Sequence, residues 1–308
     1  MKTLSTEQML ALKNKIEFIL EHPEKAGEKE SQESIFSVLR HIEAGTLRVC
    51  TPKGSEANCG SVPMVQLDTW IVHKWIKEAI LLAFKVRTAG TSKWTLQTDE
   101  NLKTNFRPHF GHMGFHDKLD VQSNFGTQGV RAVPGAIVRE GAYVAPSVIL
   151  MPSFVNIGAW ISEGTMIDTW ATAGSCAQIG KNVHVAGGVG IGGVLEPASA
   201  RPVLIGDNAF LGSRVIVVEG VVVGEKAVLG ANTCLTASTP IYDVTTTEKK
   251  EYRGFVPPYA VVAAGTRIKT FPGGEAPLAC AYIIAYRSEK TDSKVSLNDI
   301  LRETGIPV

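Results

Sequence analysis

The spacing of apolar positions divides the chain near residue 130. Ahead of that point apolar residues recur at helical intervals. Met9, Leu12, Ile16 and Ile19 follow Ser5 and Thr6, two cap candidates, and Pro23 closes the run. Ile35, Phe36, Val38, Leu39 and Ile42 form a second stripe that stops at Gly45, a residue suited to a left-handed C-terminal turn. Between them Glu24–Gln32 is charged and aperiodic, which predicts a loop. The stretch Asp68–Lys85 is apolar on most faces (Trp70, Ile71, Trp75, Ile76, Ile80, Leu81, Leu82, Phe84) and predicts a buried helix. Residues 87–130 are polar and glycine-rich, which predicts a long irregular segment.

From Ile137 the period becomes six. Ile137, Tyr143, Ile149, Val155, Ile161, Ile167, Ala173, Ile179, Val185 and Ile191 occupy one position, and four residues on lie Gly141, Ser147, Ser153, Ala159, Thr165 and Ala171. The register slips across Pro197–Leu204 and resumes at Ile205, Leu211, Val217, Val223, Leu229 and Leu235. Neither an α-helix nor a sandwich has this period. It predicts a parallel β-helix in which the aliphatic residue points inward and three short faces close a coil of about 18 residues. The small fifth residue lets the chain turn a narrow corner. Pro197–Leu204 is then an outward bulge, and Pro240–Val256 an excursion from the coil, the kind of loop on which sites are built. Ala279–Tyr286 reads as a strand, and Ser296 with Asp299 as the cap of a last helix near Leu297–Glu303. The predicted organisation is therefore mainly β: helical residues 1–130, a β-helix over 131–270, and a C-terminal strand and helix over 271–308.

Composition narrows the function. With 31 Lys+Arg against 30 Asp+Glu, the 308-residue chain has a net charge of +1, which gives no drive toward nucleic acid. No apolar run approaches the ~20 residues that span a bilayer, and Met1–Gln8 lacks the apolar core of a secretory signal. Five scattered cysteines without a Cys-x-x-Cys pair favour a reducing compartment over a disulfide framework or structural zinc. The expectation is a cytoplasmic protein with no membrane or nucleic-acid partner.

Several motifs invite chemistry. Gly188–Gly193 satisfies G-x-G-x-x-G but lies inside in-register hexads, where corner glycines explain it better than a dinucleotide site. His109, His112 and His116 have metal-like spacing without an intervening glutamate, and His184 stands alone in the coils, so no metal is expected. There is no nucleophile elbow, and Ser175 has no histidine nearby in the hexad stack. Cys176 reads as a packed thiol. Asp168, directly after the inward Ile167, is the most informative polar residue. A carboxylate there either caps a coil edge or serves as a general base or ammonium ligand.

Longer stretches are more specific. Val148–Ala159, Glu163–Thr172 with its Asp168-Thr-Trp-Ala-Thr, Gly174–His184 with its Gly-Ser-Cys-Ala-Gln-Ile-Gly-Lys, and Gly187–Pro197 closely resemble the tetrahydrodipicolinate N-succinyltransferases, a family of hexapeptide-repeat acyltransferases. The likeness extends to Trp70–Phe84, Arg131–Pro134 and Cys280–Leu301, and leaves out residues 87–127. It implies a left-handed parallel β-helix, a homotrimer with active sites between subunits, and a role in lysine and diaminopimelate synthesis. It also implies succinyl-CoA as co-substrate, no permanently bound cofactor, and direct attack in a ternary complex. Arg131 and Asp168 match the family's substrate-binding arginine and aspartate, the latter also catalytic; Ser175 joins them as a substrate contact. Gly192 and Gly193 are candidates to face the acyl donor with backbone N–H groups, and Lys181, Arg267 and Lys269 to meet CoA phosphates. Where many members carry a second carboxylate, this chain has Ile216; Glu196, placed one coil away by the hexad count, or Glu219 would replace it. That departure keeps two alternatives open: an acetyl-CoA or other amino-dicarboxylate acyltransferase, and a non-catalytic trimeric scaffold.

Overall fold

A computed structural model describes residues 2–58, 69–88, 90–94 and 113–287. Helix α1 (Thr6–Glu21) starts at Ser5 with a reciprocal capping box: the Ser5 side chain accepts from the Gln8 amide, and Gln8 returns a bond to the Ser5 amide. Its buried face is Met9, Ile16 and Ile19. The charged segment predicted as a loop is mostly ordered. Pro23–Lys25 is a short 3₁₀ turn, and α2 (Lys29–Glu43) begins earlier than the apolar stripe suggested. The reason is that Ser31 and Ser34 occupy its buried face, and Ser34 bonds back to the Glu30 carbonyl at 2.9 Å, hiding the apolar periodicity. Gly45 has φ +68°, and the Tyr143 ring fills the space where its Cβ would stand.

The run predicted as one buried helix divides. Trp70–Val72 is a strand antiparallel to Cys50–Pro52, and α3 (Lys74–Val86) starts only after His73. A short apolar run carries no period that separates strand from helix, and pairing with Cys50–Pro52 decides it. Gly90–Trp94 and Met113–Asp117 pair as an antiparallel hairpin within the stretch predicted to be irregular.

The β-helix is as expected in kind. Two-residue strands stack in parallel into three faces. The first runs Arg131–Ala132, Ile149–Leu150, Met166–Ile167, His184–Val185, Phe210–Leu211, Val228–Leu229. The second runs from Ile137–Val138 to Cys234–Leu235 and the third from Tyr143–Val144 to Phe255–Val256. Val155, Ile161, Ile167, Ile179, Val185, Val217 and Leu229 point inward and are fully buried, each contributing about 1.5–3 kcal/mol. The first coil departs from the predicted register by one residue. There Val138, Val144 and Leu150 face the axis, while Ile137, Tyr143 and Ile149 are half-buried outside. Val138 pairs with Val155, so the Met151–Ser153 corner is one residue short of the period. Both members of each of those strands are apolar, and the sequence pattern could not choose between them.

Leu204–Ile205 regains the coil beside Gln178–Ile179, after the predicted bulge. The predicted excursion contains Ile241–Asp243 paired with Lys250–Tyr252 before Phe255–Val256 rejoins Val222–Val223. Beyond the last coil, Ala260–Phe271 and Gly274–Tyr286 form a long antiparallel hairpin that includes the predicted strand Ala279–Tyr286. The predicted helix near Leu297–Glu303 lies outside the described residues.

The helical unit covers the third face. Leu204 and Val222 pack with Cys50 and Trp70, and Ile157 and Cys176 pack with the α2 and α3 core. Arg48, fully buried, lies between the rings of Trp70 and Trp160 at 4.7 and 4.4 Å and donates to Gln178 Oε1 at 2.9 Å. Coverage of one face leaves the other two to carry a site.

Candidate active site

In a stacked coil, each position has a counterpart on the rung above and below, so residues far apart in sequence form columns. Arg131 begins the column Ile149, Met166, His184, Phe210 on the first face. It is exposed, and its guanidinium makes no side-chain bond among the described residues. Asp168 lies two rungs above, at the end of its strand and half-buried. Its Oδ1 accepts from the Thr169 amide at 2.6 Å and the Thr169 hydroxyl at 3.1 Å. These bonds fix the carboxylate's orientation, and they involve only one of its oxygens; Oδ2 has no bond among the described residues. Capping of the edge and a role toward a ligand are thus compatible, one oxygen for each.

The edge that follows Asp168 is a ladder of left-handed corners. The amides of Trp170, Gly188, Arg214 and Asn232 donate to the carbonyls of Pro152, Thr169, Gly187 and Ser213, each one rung below, at 2.7–3.0 Å. Trp170, Gly188, Arg214 and Asn232 have φ of 60°, 71°, 60° and 62°. Glycine and asparagine suit this conformation; tryptophan does not. Trp170 is nevertheless 77% exposed there. Trp170 lies within Asp168-Thr-Trp-Ala-Thr and Arg214 two residues before Ile216, and the sequence alone gives neither a role. Their signal was a bulky residue at a corner position otherwise filled by Gly or Asn, visible only once the columns are aligned.

Ser175, Gly192 and Gly193 lie at the next edge. A Cβ on Gly174 would fall 2.1 Å from the Gly193 nitrogen, and one on Gly193 2.6 Å from the Ser175 nitrogen, so these corners close only without side chains. The two candidate N–H donors differ. The Gly192 amide already donates to the Val217 carbonyl at 2.8 Å, whereas the Gly193 amide has no protein acceptor among the described residues. Gly192 is thus corrected as a donor, because the ladder between rungs consumes its proton. Cys176, the neighbour of Ser175, is fully buried, and desolvation pushes its thiol up to about 12, which leaves it protonated and inert.

The predicted position of Glu196 is also corrected. Ile216 pairs with Gly190 on one side and Cys234 on the other, so Glu196 is not stacked against it. The strand at Gly190–Ile191 takes that place and the chain leaves the coil after Gly193. Glu196 is instead an exposed residue of the emerging loop. That loop is tied to the helical unit by Lys77 of α3, fully buried, whose Nζ donates to the carbonyls of Ala200 at 2.9 Å and Pro197 at 3.3 Å. Burial lowers the Lys77 pKa. Glu219 is exposed, and its Oε2 accepts from the Ala237 amide.

The basic candidates are dispersed within one chain. Lys181 lies on the edge between the third and first faces, its Nζ 3.9 Å from Glu163. Arg267 and Lys269 lie on the terminal hairpin, Arg267 opposite Leu278 and Lys269 over the Phe271 ring. His109 and His112 fall outside the described residues and His116 is exposed. Among the described residues no three His, Cys, Asp or Glu groups converge as metal ligands, and no helix is long and apolar enough to cross a membrane.

Known proteins resemble this chain over most of its length. A sequence model described as tetrahydrodipicolinate N-succinyltransferase N-terminal matches residues 11–86, and one described as hexapeptide repeat of succinyl-transferase matches residues 202–237. The 2,3,4,5-tetrahydropyridine-2,6-dicarboxylate N-succinyltransferase of Gluconobacter oxydans is 45% identical over 282 residues, covering 90% of this chain and 91% of that one. The enzymes of the same name from Paracidovorax citrulli and Dechloromonas aromatica are 42% and 45% identical, covering 90% and 87% of this chain and 92% and 89% of theirs.

Proposed function

The chain belongs to the tetrahydrodipicolinate N-succinyltransferases, and on that premise we propose how its own residues move a succinyl group from succinyl-CoA to the amine of ring-opened tetrahydrodipicolinate, a step toward diaminopimelate and lysine. The observation that carries the reading is the pair Arg131 and Asp168 on one face, whose guanidinium and Oδ2 make no bond among the described residues. The acceptor is a dicarboxylate with an amine. A guanidinium offers two parallel donors to a carboxylate, and Arg131 takes one of the acceptor's two.

The amine is protonated in water and cannot attack until it loses that proton. Asp168 Oδ2 accepts it while Oδ1 stays anchored to Thr169. The nitrogen then bonds to the thioester carbonyl carbon and gives up a second proton as the amide forms; the C–S bond breaks, and the thiolate leaves as free thiol with one of the two protons while the other passes to solvent. No covalent enzyme intermediate is required, since alignment of two substrates and a donor at the developing oxyanion account for the rate. The Gly193 N–H, unused by the coil and exposed, lies one edge away from Asp168 on the same chain, so a neighbouring subunit supplies that donor at a shared site. Ser175 beside it contacts the acceptor.

The chain works as a left-handed coil within a homotrimer in the cytoplasm, with CoA lying between subunits. Separation of Lys181, Arg267 and Lys269 within one chain supports that arrangement, because a neighbouring subunit can supply phosphate contacts that one chain cannot gather. A second reading, acetyl transfer, is favoured by one observation: Ile216 fills the space above Gly190 with hydrocarbon. Thiol release from succinyl-CoA and from acetyl-CoA, with tetrahydrodipicolinate as acceptor, separates them. At least tenfold preference for succinyl-CoA is expected; preference for acetyl-CoA establishes the second reading, and silence with both rejects each.

A further inference from the structure

The column Trp170–Gly188–Arg214 beside Asp168 has a notch in it. Successive rungs are about 4.8 Å apart, so the backbones of Trp170 and Arg214 stand roughly 10 Å apart with only Gly188 between them. Gly187 and Gly188 bring no side chain into that space, so its rear wall is bare backbone. The Arg214 stem folds down over it: a Cβ on Gly188 would sit 3.4 Å from Arg214 Cγ. Below, the Trp170 indole is held out into solvent by a left-handed corner. Arg214 is exposed and makes no side-chain hydrogen bond or ion pair among the described residues.

We propose that Arg214 binds the carboxylate adjacent to the acceptor's reacting amine, with Trp170 as the apolar lip of the same notch. The inference rests on the acyl transfer reading and assigns a further residue to it. An amino acid end presents an ammonium and a carboxylate on one carbon. Asp168 complements the ammonium, and it stands two residues before Trp170 at the same corner. Arg214 is the cation whose stem leans over that corner, and its fork matches a planar carboxylate. Arg131, two rungs below Asp168, is left for the distant carboxylate. The three groups then run diagonally across the edge as cation, anion, cation, the inverse of the extended acceptor. Backbone separation of Arg131 and Arg214 is about 19 Å along the axis by rung count, and two arginine side chains shorten this to the length of a seven-carbon dicarboxylate.

Steady-state kinetics of the purified full chain test this with Arg214→Met and Arg214→Lys. With Arg214→Met the acceptor KM rises about tenfold to a hundredfold, the loss that charge-assisted paired bonds carry. The KM for succinyl-CoA stays within about twofold, and Arg214→Lys recovers part of the loss, as a point charge without a fork should. With an acceptor bearing a carboxamide in place of the carboxylate beside the amine, wild type and Arg214→Met converge. An active wild type whose acceptor KM is unchanged in Arg214→Met, or a variant that loses both substrates equally, overturns the assignment alone. A wild-type chain that releases no thiol from either donor overturns the acyl transfer reading and this inference with it.

Discussion

At the scale of the residue, the site is built from conformations that the coil imposes and most side chains resist. Left-handed corners are occupied by Asn182, Asn208 and Asn232 and by Gly158, Gly164 and Gly188, but also by Ser147, Cys176, Arg214, Glu219, Lys226 and Tyr259. Trp170 holds the same backbone with a bulky side chain, at a cost of about 1–2 kcal/mol relative to residues that tolerate it. Trp170→Asn is therefore expected to raise the thermal midpoint by about 1–3 °C, by relieving that strain. The same substitution should raise the acceptor KM, because the lip of the notch is gone. Calorimetry and kinetics on one preparation check both; a variant that is less stable and equally active would show that the indole serves packing. Asp168 behaves differently. Its anchoring bonds are local, so Asp168→Asn should leave stability within about 1 kcal/mol while turnover falls about a hundredfold or more, as for loss of a general base.

At the scale of the element, the coil's strands are too short to hold register by themselves. Two residues per strand make few ladder bonds, and the inward side chain sets which residue faces the axis. Leu150→Ala should accordingly cost about 2–5 kcal/mol in chemical denaturation, and Ile137→Ala much less, although the hexad count from sequence ranks them the other way. Among the helices, the joint before α3 is sensitive to acid. His73 pairs with Thr51 at 2.6 Å, and burial pushes its imidazole down to about 4 from 6.5. A depressed histidine stabilises the fold fully above its unfolded value and loses that contribution as pH falls toward the folded one. Stability should decline by roughly 2–3 kcal/mol between pH 6.5 and about 4, and His73→Gln should flatten that part of the profile in thermal melts.

At the scale of the whole molecule, the helical unit and the coil divide the labour. The helices cover the third face, and Lys77 reaches through from α3 to hold the loop that carries Glu196. The first and second faces keep half-buried apolar residues in their outer columns, Ile149, Met166 and Phe210 on one and Ile137, Phe154 and Ile216 on the other. In the proposed trimer these faces meet neighbouring subunits. Light scattering should then give about three times the chain mass of 33.1 kDa. Specific activity should fall together with that mass on dilution, because the site needs a neighbour to complete its CoA groove.

The six-residue period, the inward aliphatic positions beyond Val155 and the two interruptions of the coil were legible from sequence. A narrow prism admits one aliphatic residue per face and a small one before each corner, and that constraint writes itself into the chain. The helices at Met9–Ile19 and Ile35–Ile42 were legible for the same reason, because one face of each is buried. Asp168 stood out as a charge inside a pattern that needs none, whereas Arg131 was legible only through the resemblance of the motifs to the family. Tertiary structure decided what a linear pattern cannot hold: the one-residue register of the first coil, where both candidates are apolar, and the strand at Trp70–Val72, which depends on Cys50–Pro52. It also decided the stacking of Gly190, and not Glu196, on Ile216, because the chain leaves the coil after Gly193. Above all it aligned Trp170, Gly188 and Arg214 on one edge. Columns form between rungs, across about 18 residues and one slipped register, so side chains that share a notch have no local signal in the order of the amino acids.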